Sequence, residues 1–534
     1  MTTPIASHTP PIPSETVAEA LARPGTYPHR PASVVVRETH ISWVFLAGDL
    51  AYKLKKPLVL DFLDYGTPER RREMCNAEVR LNRRLARDVY LGVRGVAPAG
   101  DGVELTDEDD PRAVDFVVEM RHYDETQTLA ASLERGELQR GEVVEIGRLL
   151  ARFHDDAPRV APGAAPVLAA ERRFERNLQE MLGDVEQRGE IERVQGLERF
   201  AHAFVTAHAQ TFTARARRGR VREGHGDLRA EHVLLGDPVR IVDCVEFDLG
   251  LRELDVADDL AFLVFDLAAG GGERFGEILV EAYRKAGGDP GPDWLIAFYA
   301  AYRALVRAKV ALVRAAQLPD TSAEHGQQSA HARDLIALAE RFAWRARGPL
   351  AIVVCGVPAS GKSHLAHALA ELSGLPHFSS DLIRKRLAGL RPNDRAPGET
   401  YSAEWNARTY AELGRRAANA LTASGGAIVD ATFRHRADRL AFTGALGPVS
   451  QTVFIECQAP RQILAERAQR RELDPHHVSD ANLEVVLREQ STWEPLDEVP
   501  ASAHLTVRTD RPVEQITADV LALLDRRLAE LTLA

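Results

Sequence analysis

Residues Leu350–Ser363, LAIVVCGVPASGKS, decide how this chain is read. Ala351–Cys355 is a short apolar run of the kind that lies in the middle of a parallel sheet. Gly356, Gly361, Lys362 and Ser363 then meet the spacing G-x-x-x-x-G-K-[ST]. Along Gly356, Val357, Pro358, Ala359, Ser360 and Gly361, such a loop turns its N–H groups toward phosphate oxygens. Lys362 brings a point charge to the β/γ-phosphates, Ser363 suits Mg²⁺, and the helix expected over His364–Leu372 aims its positive end at the anion. A strand before the loop and an amphipathic helix after it set this match apart from a chance Gly-rich turn. Nucleotide binding is the expectation.

Further apolar segments follow at Pro376–Phe378, Ala427–Val429, Gln451–Ile455 and Leu505–Arg508, alternating with helical patterns. That alternation predicts an α/β, doubly wound parallel sheet. Upstream of Arg345–Pro349 the pattern changes. Trp294–Gln317 and Ser329–Ala346 read as helices separated by the turn-rich LPDTSAEHG. Thr39–Leu46 and Leu50–Leu54 read as strands joined at Ala47-Gly48-Asp49, with a charged helix at Pro68–Arg87 and strands near Val93–Ala97 and Ala113–Arg121. A strand-rich beginning and a helical body make the first half an α+β, two-lobed domain. The division expected is a flexible leader over residues 1–30, one domain over 31–345 and a second over 346–534.

Composition narrows the function. The 534 residues exceed one hydrophobic core, and no apolar run reaches the roughly 18 residues that span a bilayer. The N-terminus lacks the basic and apolar regions of a secretory signal. Cys75, Cys244, Cys355 and Cys457 are dispersed, without a C-x-x-C pair, which favours a reducing cytoplasm over a disulfide framework or a zinc site. A net charge of −11 counts against a general nucleic-acid binder.

Asp381 follows the Pro376–Ser380 strand at the carboxyl edge of the sheet, where open α/β folds bind ligands. Arg384 stands one helical turn later on the same face. A carboxylate and an arginine so placed suit an acceptor hydroxyl's proton and a nearby oxyanion; the same residues also suit a helix N-cap and a solvent-facing arginine. Asp430 ends Ala427–Val429, where P-loop proteins keep a carboxylate behind Mg²⁺, or where a strand is simply capped. Arg467, Arg470 and Arg471 cluster on the helix Arg461–Arg471, either as a lid that neutralises a transferring phosphoryl group or as a solvated face.

Through GVPASGKS, SSDLIRKRLAG, IVDATF and AERAQRR, the segment Gly348–Ala534 resembles the small P-loop kinases related to gluconate kinase, polynucleotide 5′-kinase and zeta toxin. The resemblance implies that Asp381 is the acceptor-side base and Arg384 a substrate or phosphate contact. It also places the loop at Thr509-Asp510 beside the adenine.

The first half carries its own constellation in Val221–Phe247, VREGHGDLRAEHVLLGDPVRIVDCVEF. His225-Gly226-Asp227 and Ile241-Val242-Asp243 set two carboxylates on successive strand–loop units, one suited to act as base and one to hold Mg²⁺. Alone, H-G-D is no more than a turn. The region from Val34 to Phe342 resembles the aminoglycoside phosphotransferase and choline kinase group, with its two-lobed protein-kinase-like fold. By that resemblance Asp227 is the base, Asp243 a metal ligand, Lys53 of AYKLKKP the phosphate-contacting lysine, and Glu78 of CNAEVRLNRRL its partner. Lys55 lies on the same strand face as Lys53. His232 stands where the kinase pattern has a metal-binding asparagine, and imidazole is a poorer Mg²⁺ ligand than an amide oxygen. It suits a neutral-nitrogen ligand, a bond to a metal-bound water, or a pseudokinase.

The acidic run Glu253, Asp255, Asp258 and Asp259 reads as a helix cap rather than a cation trap. The whole chain resembles bacterial two-domain proteins that join an aminoglycoside-phosphotransferase-like domain to a P-loop kinase domain. The resulting expectation is an ATP- and Mg²⁺-dependent phosphotransferase acting on a small-molecule hydroxyl. The alternatives are a nucleotide-gated regulatory protein with a non-catalytic first half, or a 5′-hydroxyl nucleic-acid kinase.

Overall fold

Ser42–Ala47 (β2) and Leu50–Lys55 (β3), with no exposed residue in either, pair as an antiparallel hairpin at Gly48-Asp49. In the computed structural model, which describes residues 14–60, 63–161, 166–186, 190–447, 451–472 and 489–530, this hairpin belongs to a six-stranded antiparallel sheet. Its other strands are Val35–Glu38 (β1), Tyr90–Ala99 (β4), Gly102–Asp107 (β5) and Asp115–Arg121 (β6), in the order β1-β2-β3-β6-β4-β5. The sequence reading missed β1, whose four residues are all exposed, and β5.

One sheet face packs Ala51, Val118 and Met120 against Cys75 and Val79 of the helix Pro68–Asn82 (α2). Thr67 caps α2 by accepting from Arg70 N. The helix stops five residues short of the expected Arg87. Asn82 turns its Oδ1 to the Cys244 N–H, and Leu85 and Ala86 close tight turns back on its carbonyl.

The other face is covered by part of the segment expected as a leader. Residues 1–13 lie outside the described residues, but Ser14–Leu21 (α1) and Pro24–Thr26 are helical. Val17, Leu21 and Tyr27 join the core with Phe45, Leu54 and Val117. Burying three such side chains stabilises the lobe by about 1.5–3 kcal/mol each.

Contacts group the chain into two units that interleave in sequence: Met1–Pro162 with Arg215–Pro290, and Gly163–Ala214 with Gly291–Ala534. The first also holds the helices Arg140–Asp156 (α3), Val256–Ala269 (α4) and Glu273–Lys285 (α5).

The second unit is built on Leu350–Cys355 (β7), all six residues of which are buried, as suits a central parallel strand. With His377–Ser379 (β8), Gly426–Asp430 (β9), Gln451–Gln458 (β10) and His504–Arg508 (β11) it forms a wholly parallel sheet ordered β8-β9-β7-β10-β11. Ile352 and Val354 face Leu365, Leu369 and Val520, while Ala351 and Val353 face Leu413, Ala417 and Phe442. Helices therefore cover both faces, the doubly wound arrangement expected.

The helices Asp293–Ala316 (α6) and Ala323–Ala346 (α7) belong to this unit. Trp344 of α7 sits in the same core as Leu350, and buried Arg347 pairs with Asp525 at 2.6 Å. Helix α7 starts six residues before the expected Ser329, because Ser322, inside the apparent turn, caps it by accepting from His325 N.

Candidate active site

The phosphate loop leaves the carboxyl end of β7 and enters the helix Lys362–Ser373 (α8). Two of its positions need glycine. Gly356 has φ +143°, and a Cβ there would stand 2.6 Å from Cys457 O; Gly361 has φ +88° and caps α8. Ala359 also lies at positive φ, +66°, a strained conformation for a residue with a Cβ. It is held by Leu464 and Ala468 of the helix Arg461–Glu472.

Ser363 Oγ donates to Asp430 Oδ2 at 2.7 Å. Asp430, 2% exposed, also accepts at Oδ1 from His377 Nε2 at 2.6 Å. Strand register explains the meeting, since Asp430 lies opposite Val354 on one side and Ser379 on the other. The phosphate loop, Asp430 and the start of the Ser380–Leu387 helix thus leave adjacent strands at one edge.

Ser363 Oγ and the Asp430 carboxylate are a hard-oxygen donor set suited to Mg²⁺, and a ring N–H holding the carboxylate is the usual support behind such a ligand. Among the described residues no three His, Cys, Asp or Glu gather into a ready-made metal cage. The sequence reading missed His377. Its one signal was a titratable side chain heading a short strand beside Ile428.

Asp381 stands half-buried in the first turn of Ser380–Leu387. Arg384 is not the solvent-facing arginine of the bland reading: it is 5% exposed, donates to Thr400 O at 2.6 Å and stacks 4.7 Å over the Tyr401 ring. Its Nε is buried without a hydrogen-bond partner.

Arg467 reaches the phosphate loop, donating to Thr509 O at 2.6 Å and Thr509 Oγ1 at 3.1 Å, while Thr509 Oγ1 donates to Ser360 O at 2.6 Å. The structure does not bring Arg470 there. Leu464 and Ala468 form the buried ridge, and Arg470, two residues past Ala468 and about 200° around the helix, is exposed. The Arg471 side chain lies outside the described residues.

In the first unit, Lys53 Nζ bridges Glu78 at 2.9 Å and Asp243 at 2.8 Å. Lys55, wholly buried, takes the other Glu78 oxygen at 2.6 Å and pairs with Glu246. Burial opposes the charge on Asp243, but Lys53 and His232 outweigh it and hold the carboxyl well below the usual range. Burial likewise opposes the charge on Lys53, and Asp243 and Glu78 raise its pKa despite it. Asp243 takes a left-handed backbone, φ +62°, and its N–H donates to Tyr90 Oη.

His232 sits between the two aspartates. Its Nδ1–H donates to Asp227 O at 2.9 Å, and its Nε2 stands 3.7 Å from Asp243 Oδ2. That bond leaves Nε2 facing the carboxylates of Asp243 and Glu231, at 3.7 and 3.5 Å.

Asp259 braces the loop of Asp227. It accepts from His225 N at 2.7 Å, Gly226 N at 3.0 Å and His154 Nε2 at 3.1 Å. In the acidic run, Asp255 is the helix cap that the sequence favoured, accepting from Ala257 N and pairing with Arg215. All four cysteines are buried and unpaired. No helix among the described residues is long and apolar enough to cross a membrane.

A family model described as an AAA domain matches residues 352–496. The uncharacterized protein Rv2004c of Mycobacterium tuberculosis is 36% identical over 447 residues, covering 81% of this chain and 85% of that protein. Among solved structures, a gluconokinase from Sinorhizobium meliloti 1021 matches at 25% identity over 34% of this chain and 95% of its own, with a TM-score of 0.25. A putative aminoglycoside phosphotransferase from Ralstonia eutropha JMP134 matches at 14% identity over 61% and 98%, with a TM-score of 0.35.

Proposed function

The chain belongs to the same family as the mycobacterial protein Rv2004c, and from that premise we propose that it is an ATP- and Mg²⁺-dependent phosphotransferase acting on a hydroxyl of a small molecule. The observation that carries the proposal is the Ser363–Asp430 contact at 2.7 Å, at the mouth of a phosphate loop and beside the strand that leads to Asp381. The loop N–H groups and Lys362 bind the phosphates. Ser363 and Asp430 would hold Mg²⁺, which when bound neutralises charge between the β- and γ-phosphates. Asp381 takes the acceptor hydroxyl's proton, and the unpartnered Nε of Arg384 offers a donor to an acceptor oxyanion. Arg467, rather than Arg470, supplies positive charge at the transferring group.

The first unit supports a second phosphotransfer site. Lys53 and Glu78 would contact the nucleotide, Asp227 would act as base, and Asp243 with His232 would hold the metal.

Release of ADP, measured with Mg²⁺ against a panel of sugars, amino sugars and nucleosides, tests both units. Acceptor-stimulated release abolished by Lys362→Ala assigns turnover to the P-loop unit; loss with Asp227→Ala assigns it to the first. ATP binding without stimulation by any acceptor would favour the nucleotide-gated regulator, for which His232, in place of the usual asparagine, is the specific support. A salt-dependent oligonucleotide shift would be needed to favour nucleic acid as the acceptor.

A further inference from the structure

Within the first unit, the carboxyl ends of α3 and α5 and the strand Val221–Glu223 enclose a cavity of about 170 Å³. Ligand pockets of drug size hold about 300–1,000 Å³, so this one suits something much smaller than a nucleotide. Three arginines line it: Arg152, Arg220 and Arg222.

Arg222 is 5% exposed, and its Nη1 donates to the Asp155 and Ala157 carbonyls at 3.2 and 2.7 Å. Its nearest carboxylate, Asp155, stays 3.9 Å away with its side chain largely in solvent. Burial, together with the charges of Arg159 and Arg220, lowers its pKa, and the distant Asp155 carboxylate offsets this only in part. Asp289, also on the wall, is already shared by Arg215 at 3.3 Å and Arg220 at 3.0 Å. Arg152 has no ion-pair partner among the described residues.

Ala151, Val256 and Tyr283 with His154 make up much of the remaining wall. Tyr283 Oη and His154 Nδ1 meet at 2.9 Å, and the other ring nitrogen of that histidine holds Asp259.

We propose that this cavity is a binding site for a small phosphate-type oxyanion, free or as the phosphate group of a small metabolite, separate from both nucleotide sites. Arginine is the residue suited to that recognition, because its planar fork matches a phosphate's oxygens. The site also reaches the catalytic loop in two steps, since His154 bonds Asp259 and Asp259 holds the N–H groups of His225 and Gly226. An occupied cavity therefore stiffens the turn that carries Asp227.

Calorimetric titration of the full chain with inorganic phosphate tests this, in a Lys362→Ala background so that the phosphate loop is silent. Arg152→Gln with Arg220→Gln should weaken binding at least about tenfold, the value of one charge-assisted hydrogen bond. Arg152→Gln alone, an exposed helix position, gives the same direction if the double variant melts early. Amide exchange should slow over residues 220–226 and 286–289 on adding phosphate. Methyl phosphate in a parallel arm separates the sources: binding as tight as phosphate itself indicates a phosphorylated metabolite, and loss of binding indicates the free ion. Unchanged phosphate affinity in both variants, or protection only around Lys53 and Asp243, would overturn the assignment.

Discussion

Asp430 is held from both sides, by Ser363 Oγ at 2.7 Å on one oxygen and by His377 Nε2 at 2.6 Å on the other. A buried carboxylate with both oxygens engaged has its direction fixed before any cation arrives. Preorganisation of this kind places charge where phosphate charge develops, without reorganisation at the moment of transfer.

Asp430→Asn keeps the shape of this arrangement and removes its charge. Turnover supported by Mg²⁺ should fall on the order of 10²-fold or more, the usual scale for one preorganised electrostatic group. Nucleotide binding without Mg²⁺ should survive, because the loop N–H groups and Lys362 remain. Steady-state kinetics beside metal-free nucleotide titration check this, and equal losses in both would assign Asp430 to folding instead.

His377 acts on Asp430 and does not itself touch phosphate. His377→Ala should raise the Mg²⁺ concentration needed for half-maximal turnover by about 10–100-fold, as loss of a supporting bond behind a metal ligand does. His377→Gln, which keeps an N–H donor, should recover part of the loss. A Mg²⁺ dependence unmoved by the alanine variant would rule out this role.

The two lysines of β3 divide their work, and their variants should separate it. Lys55 is buried between Glu78 and Glu246, so Lys55→Met leaves buried Glu246 without a cation and Glu78 with Lys53 alone, and should cost about 3–5 kcal/mol. Lys53 faces the site, with its side chain 13% exposed and Asp243 as partner. Lys53→Met should weaken nucleotide binding to the first unit with a smaller loss of stability. Denaturant melts of the two variants, set beside nucleotide titrations, should show opposite rankings.

Much of this was legible in the chain itself, for physical reasons. The phosphate loop could be read because Gly356, Gly361, Lys362 and Ser363 are close in sequence and each is demanded by the backbone or by phosphate. The inner strands β7 and β9 could be read because burial on both faces leaves continuous apolar runs. His377 and Asp430 could not be paired in advance, because 53 residues separate them and only strand register brings them together. The different settings of Arg467 and Arg470 could not be read for a related reason: helical spacing shows which residues share a face but not which face is buried. The joining of α7 to the P-loop sheet rests on Trp344 and on the Arg347–Asp525 pair, a contact across 178 residues.

His225 makes the stability of the first unit depend on pH. It is fully buried, donates through Nε2 to Val242 O at 3.0 Å, and has no partner at Nδ1. Burial brings its pKa down to about 4, against about 6.5 in an unfolded chain. Between those values the unfolded state binds a proton that the folded state refuses, so stability falls as pH falls through the window. The full loss is about 3 kcal/mol, reached near pH 4. Asp259, whose carboxyl is held low by its hydrogen bonds from His154 and the His225 N–H against the cost of burial, adds to the slope only near and below about pH 4, where the unfolded carboxyl takes up a proton. The free energy of opening read from amide exchange at His225 and Gly226 should therefore decline from pH 7 to pH 4.5. In His225→Gln, whose amide still reaches Val242 O, the decline should flatten. An equal slope in both proteins would assign the pH dependence to another group.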